Sequence, residues 1–502
     1  MAARPNPAVF PRSPSVSVRT QAAARASLAS RGAVLERHAA VVNDVHSQLN
    51  RTKVAAVAHP KTIGELQRAV RFARDAHLPS SVSGGRHAMG GQQFRSGGLL
   101  VDLTGLNRVI DLDVERGLIR VEAGIQWPEL VAHLAWVGVG EPRAWGIIQK
   151  QTGADRMTIG GLLASNVHGR GLRFKPIVAD VEAFEIVDPA GAVIACSRES
   201  NPELFALAIG GYGLFGPIAT VTLRLTRRHK VERRVHIGCI DRLPHLFERR
   251  LREGYEYGDF QFATDPRSRE FLQAGVFSCY RPIDSGVSPE SPHRLTQQDW
   301  RRLILLAHTN KSRAFAEYAR HYMSTDGQVY WSDTHQLAAY EHDYHADLDR
   351  QLAARVKGSE MISELYVPRH RLPEFMAAVR SDAARFGMDI VYGTVRLIER
   401  DDETVLAWAR EPWACVVFNL HVDHTPRGVA TAAGHFRRLI DRAIDQGGSY
   451  YLTYHRWATA AQARAGHPRL VEFLQRKRTY DPDGLFQSDW YRHHVNLLEA
   501  SS

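Results

Sequence analysis

Residues 83–92 read SGGRHAMGGQ: four glycines around one histidine, directly after the strand-forming run SSVS at 80–83. The next regular segments are again strand-forming, LLVDL at 99–103 and LIRVEAG at 118–124. A Rossmann-type dinucleotide fold needs G-x-G-x-x-G opening a helix, so neither the spacing nor the context admits it. A glycine loop between strands can still hold an anion. Backbone N–H groups unshielded by side chains turn inward as a nest, and phosphates can approach the main chain. On this segment alone, a glycine-rich hairpin with no ligand is the better explanation.

Two further stretches shift that balance. Residues 158–171 read TIGGLLASNVHGRG, again small residues around one histidine, His168. Residues 209–220 read IGGYGLFGPIAT and run into the strand-like TVTLRL. Three glycine-rich turns between residues 84 and 220 imply one extended ligand lying against backbone at several points. Before them, Thr62 and Glu65 have capping-box spacing, and Ile63, Leu66, Val70 and Ala73 recur at helical intervals up to Pro79.

A chain of 502 residues is longer than one core needs, so more than one domain is expected. The hydrophobic fraction of 44% and charged fraction of 24% are those of an ordinary globular protein. The net charge of +10 is dispersed, which favours anionic substrates or surfaces over nucleic acid, and no nucleic-acid motif is present. Cys196, Cys239, Cys279 and Cys415 stand far apart with no C-x-x-C pair and no metal spacing with histidine, so buried thiols in a reducing, cytoplasmic setting and no metal are expected. Residues 1–35 lack acidic residues and carry five arginines among Ala, Ser and Pro, which reads as a flexible basic leader over 1–45, with an organelle transit peptide as the alternative. The uncharged run 204–223 is broken by glycines and Pro217, so a buried helix, a turn and a strand are expected in place of a membrane span.

Together SGGRHAMGGQ with GGLLVDL, TIGGLLASNVHGRG and GGYGLFGPIATVTLRL resemble, in order and spacing, the FAD-binding domain of the vanillyl-alcohol-oxidase-like flavoproteins, the PCMH-type FAD fold. The ending YDPDGLFQSDWYRH at 480–493 is similar to that family's carboxy terminus, which returns to the FAD domain. The resemblance implies an α+β protein: a two-subdomain FAD-binding domain over 46–228, a substrate (cap) domain with a mainly antiparallel sheet over 229–446, and a returning segment over 447–502. It implies FAD as cofactor, with Gly84, Gly85, Arg86, His87, Ala88 and Gln92 at the pyrophosphate loop. His87 would be the covalent attachment point, although Arg86 and Ala88 replace the family's glycine and serine. No cysteine lies between Gly140 and Gly171, which excludes a second link. By the same match Gly153, Thr158, Gly160, Gly161, Ser165, Asn166 and His168 line the flavin, Ile218 lies near the adenine, and Tyr451 is a further cofactor contact.

In the cap, residue alternation makes polar strand faces. Glu364 and Tyr366 share one side of ISELYVP, Tyr392, Thr394 and Arg396 one side of IVYGTVRLIE, and Asn419 and His421 one side of VVFNLHV. Leu372, Phe375, Met376 and Val379 form a helical stripe that would cover the apolar sides. A solvated sheet face would explain the strand pattern alone. TVRLIERDDETVLAW at 394–408, however, is similar to a segment of alditol and aldonolactone oxidases in which an arginine sits near flavin and substrate.

The resulting expectation is an FAD-dependent oxidoreductase, oxidase or dehydrogenase, that takes a hydride from an alcohol carbon of a polyol, sugar or aldonolactone. His421, Glu364 and His168 are the candidate bases, Arg396 the cation near the reduced flavin, and Tyr454 an active-site residue where some relatives have lysine. Arg170, with Arg173 and Lys175 close behind it, suggests an anionic substrate group; it and the tail also resemble lipid-linked ribose oxidases. The alternatives are that lipid-linked substrate and a carbon–carbon double-bond reductase of the sterol type. Oxygen as electron acceptor is not legible in the residues.

Overall fold

The computed structural model describes residues 35–36, 39–141, 143–150, 153–284, 286, 289, 293–337 and 344–500. The leader over 1–45 lies largely outside these. Strands β1 (Leu35–Glu36), β2 (Ala56–Ala58), β3 (Ser80–Ser83) and β4 (Leu99–Asp102) form a sheet in the order β1–β2–β4–β3, with β2–β4 and β3–β4 parallel. Helix α1 (Ile63–Asp75) provides the crossover, its N-cap Thr62 accepting from the Glu65 N–H as its capping spacing predicts. It buries Leu66, Ala69, Val70 and Ala73 against this sheet.

The second sheet takes β5 (Val109–Asp113), β6 (Leu118–Glu122), β7 (Val181–Val187), β8 (Val193–Ser197) and β9 (Ile218–Arg227), in the order β8–β7–β9–β6–β5 and antiparallel. Helices α2 (Ile159–Ser165) and α3 (Pro202–Ala208) lie in its connections. The uncharged run 204–223 resolves into α3, a turn with left-handed Gly210 and Gly213, and β9, as its glycines foretold.

The cap is one antiparallel sheet of eight strands. It comprises β10 (Lys230–Cys239), β11 (Tyr257–Phe262), β12 (Ala274–Ile283), β13 (Val329–Trp331), β14 (Gly358–Pro368), β15 (Ile390–Ile398), β16 (Trp413–Asp423) and β17 (Ser449–Tyr450), ordered β13–β10–β12–β11–β15–β16–β14–β17. Helices α4 (Gln297–Thr309) and α5 (Lys311–Met323) pack on its polar side, with Tyr318 against Val235 and Val276. Helix α6 (His345–Gln351) precedes β14; α7 (Leu372–Phe386) and α8 (Pro426–Asp445) complete the cap. Leu372, Phe375, Met376 and Val379 of α7 are all buried, each contributing about 1.5–3 kcal/mol.

The cap reaches past the expected boundary at 446, because Ser449 and Tyr450 still pair with Tyr366 and Leu365. The chain then crosses back. Ser80 donates its N–H to Leu485 O and accepts from Gln487 N, and Asp489 N bonds Phe94 O, so the tail fastens onto β3. Among the described residues no helix is long and apolar enough to cross a membrane.

Candidate active site

The loop after β3 and the segment before α2 meet backbone to backbone. A Cβ on Gly84 would stand 1.9 Å from Thr158 Oγ1, and one on Gly85 2.4 Å from Arg156 O. Thr158 caps α2, accepting from Gly161 N–H. Arg86 adopts a left-handed φ of 58° and pairs with buried Asp102 at 3.1 Å. This close approach leaves an elongated groove of about 1260 Å3, its mouth included, running from His87 to Ile218.

The cofactor-contact residues expected from the sequence line this groove, except Asn166 and His168. Asn166 is a correction: it ends α2 in the left-handed conformation and turns inward, donating to Asp401 Oδ2 at 2.8 Å and accepting from Val178 N–H. His168 is another, since it is buried behind the lining against Glu364. The His87 ring is held between His46 Nε2 (2.8 Å) and Arg156 O (2.9 Å). Tyr451 closes the groove from the cap side, its hydroxyl donating to Ser165 O at 2.5 Å.

The groove fits a long dianionic nucleotide. No carboxylate lines it, Arg86 and two histidines do, and its buried Ser83 Oγ and Gln93 Oε1 have no hydrogen-bond partner within the protein.

Beside the groove, Glu364 of β14 is fully buried and crowded with donors. His168 Nε2 lies 2.5 Å and Tyr366 Oη 2.7 Å from Oε1, and Tyr454 Oη donates to Oε2 at 3.1 Å. His168 Nδ1 faces Gly169 O at 2.9 Å, so both ring nitrogens are engaged with oxygens. Burial opposes ionisation of Glu364, but His168, Tyr366 and Arg396 outweigh it and hold the carboxyl at about 2. His168, engaged at both ring nitrogens and outside the groove lining, does not stand where the base expected from the sequence would meet a substrate.

Register defines the rest of this wall. Glu364 pairs with Val417, Thr394 also with Val417, Arg396 with Cys415 and Tyr392 with Asn419, so their side chains share one face. On it Arg396 is 5% exposed, yet its Nε and Nη1 have no partner within the protein; nor do Thr394 Oγ1 and Asn419 Oδ1. His421 lies on the same face, but it pairs with Glu360, four residues from Glu364 or roughly 13 Å along the strand. Its Nδ1 is 3.4 Å from Glu360 Oε1, so it serves that carboxylate and is not the base beside Glu364.

Lys150 carries no sequence signal, whereas Arg170, Arg173 and Lys175 were expected to face an anionic substrate group. Lys150 is buried, paired with Asp155 at 2.5 Å, and pushed down to about 8, chiefly by burial against the pull of Asp155, with Arg170 and Arg396 lowering it further. Arg170 donates to His335 O at 2.6 Å and lies 4.8 Å from the Tyr280 ring centroid. Arg173 instead donates to Leu251 O, and Lys175 bonds Asp402 on the surface. Only the continued two-residue alternation of β14 could have drawn Glu360 into the wall.

With this geometry in view, comparison with known proteins decides the cofactor: residues 54–197 match the FAD binding domain family. That segment is an FAD-binding domain of the PCMH type. The chain's cofactor is FAD, its fold α+β. An uncharacterized oxidoreductase of the Rhodococcoides fascians fasciation locus is 32% identical over 178 residues, 36% of this chain and 39% of that protein. The mitochondrial L-galactono-1,4-lactone dehydrogenase of Brassica oleracea is 29% identical over 213 residues, 41% of this chain and 34% of that protein. The L-gulono-1,4-lactone dehydrogenase of Mycobacterium tuberculosis is 22% identical over 396 residues, 79% of this chain and 85% of that protein. The chain thus spans little more than a third of the length of the first two relatives.

Proposed function

We propose that this PCMH-type protein is an FAD-dependent oxidoreductase that oxidises a CH–OH group of a hydroxyl-rich sugar lactone or polyol. The observation that carries this reading is the wall beside the groove. An ionised, buried Glu364 shares a sheet face with Arg396 Nε and Nη1, Thr394 Oγ1 and Asn419 Oδ1, none of which has a partner among the described residues. A substrate with several hydroxyls supplies the donors and acceptors such a wall needs. The lactone dehydrogenases among the relatives support the same class.

FAD, when bound, takes up the two electrons and the hydrogen from the oxidised carbon. Glu364 Oε2, bonded to the groove-lining Tyr454, receives the substrate hydroxyl's hydrogen bond and polarises its O–H. A carboxyl held at about 2 orients that hydroxyl and, as the carbonyl forms, passes its proton on to solvent instead of storing it. The free N–H groups of Arg396 stabilise negative charge on the substrate oxygen. Arg170 and Lys150, close to Arg396, make room for a carboxylate or phosphate on the same substrate. We place the covalent flavin link at His87, and the protein in the cytoplasm, in keeping with its four free cysteines.

Anaerobic mixing of the yellow protein with aldonolactones, polyols and phosphorylated sugars tests this. Bleaching of the flavin band by a member of this panel is expected, and then its return on admitting air if oxygen is the acceptor. A flavin that dithionite reduces but no hydroxylated compound does would refute the reading. Acid precipitation should leave the flavin on the protein and release it from His87→Ala.

A further inference from the structure

The cap holds a second buried cluster that the oxidation does not use. Glu360 of β14 is 4% exposed, and imidazoles from three other elements surround it. His308 Nε2 from α4 lies 3.1 Å and His421 Nδ1 from β16 3.4 Å from Oε1, and His345 Nδ1 at the start of α6 is 2.9 Å from Oε2. The ligand atoms of His308, Glu360 and His421 all fall within 4.8 Å of one another. Tyr344 Oη donates to Oε2 at 2.6 Å, fixing the carboxylate's orientation.

Close packing of histidines on a glutamate is ordinarily a hydrogen-bonded ion cluster, in which each N–H points at an oxygen. Here His308 Nε2 and both nitrogens of His345 are buried without a hydrogen bond, although carboxylate oxygens stand about 3 Å away. Nitrogens near an oxygen but not aimed at it are what ligands of a shared centre present. Ligands at about 2.0–2.1 Å around a tetrahedral ion stand about 3.3 Å apart, close to the 3.1 Å and 3.4 Å approaches of His308 and His421 to Glu360 Oε1. Two imidazoles and a carboxylate suit a borderline ion such as zinc, not calcium or magnesium, which prefer oxygen.

We propose that His308, Glu360 and His421 bind one divalent transition-metal ion of the zinc type, with His345 on the carboxylate's other oxygen. Three protein ligands leave a fourth position for water. The ion clamps α4 to β14 and β16 at the far end of the wall that carries Glu364. Ile362, which lines the FAD groove, stands between the two glutamates on β14, so the clamp also fixes that strand's distance from the groove.

The test uses the full-length, FAD-loaded protein without a histidine tag. Elemental analysis after dialysis, and titration of chelator-treated protein with Zn2+ or Co2+, should find about one ion per chain. Binding should raise the melting temperature by several degrees, and Co2+ should add visible ligand-field bands to the flavin spectrum. Glu360→Gln and His308→Ala should each weaken binding at least about tenfold while FAD absorbance per chain is unchanged, which separates ligand loss from misfolding. Less than about a tenth of an ion per chain with no thermal response would overturn the proposal. So would binding undiminished in a His308→Ala/His421→Ala double variant.

Discussion

Glu360 and Glu364 lie four residues apart on one face of β14, both buried, yet in unlike surroundings. Glu364 sits where the two domains meet. It takes His168 from the FAD domain, Tyr366 from its own strand and Tyr454 from the returning tail, each aimed at an oxygen. Glu360 sits within the cap, among imidazoles of α4, α6 and β16. The strand's period sets which face a carboxylate occupies; the layer packed against it sets the chemistry. On the reading proposed above, the first environment orients a reacting hydroxyl and the second holds an ion.

The strongest way to part the two is Gly84→Ala. Its Cβ falls on Thr158 Oγ1, so the groove closes and bound FAD should fall below about a tenth of wild type, read from the flavin absorbance of purified protein. Metal content, which depends on the cap alone, should stay the same; equal loss of both would merge the two sites. Arg396→Ala comes next. Removing a donor to the reacting oxygen should slow flavin reduction about 10²- to 10³-fold in rapid mixing, with FAD and metal contents intact. Reduction at the wild-type rate would take Arg396 out of the site.

Acid titration sharpens the contrast further. The Glu364 carboxyl titrates at about 2 in the fold against an ordinary value of 4.5, so its ionised form stabilises the protein at and above about pH 5. That contribution, on the order of 3 kcal/mol, is lost as pH falls from about 4.5 to 2. Melting temperatures over this range should drop more steeply in wild type than in Glu364→Gln; parallel curves would mean that Glu364 is not held ionised. The smallest effect is expected of Glu360→Gln, whose flavin-reduction rate should stay within about threefold of wild type despite its lost ion.

Much of this was legible because local chemistry forced it. Glycines that must meet Thr158 and Arg156 O without a Cβ marked the groove, and two-residue alternation put Glu364, Arg396 and Asn419 on one face. The errors have a common cause. Asn166 and His168 were read as cofactor contacts because they belong to a glycine motif, but their side chains turn to Asp401 and Glu364 while Ser165 and Val167, beside and between them, line the groove. His421 was placed on the correct face at the wrong depth, since depth depends on register between strands distant in sequence. Lys150, His308 and His345 stand alone in their segments, and only the tertiary fold gives them partners.

The central claim is that Glu364 directs the oxidation in the FAD groove. Single-turnover, anaerobic reduction of FAD-loaded Glu364→Gln by a substrate that bleaches wild type tests it most directly. The account predicts a rate at least about 10²-fold lower with unchanged flavin content. Reduction of the variant at the wild-type rate would contradict it.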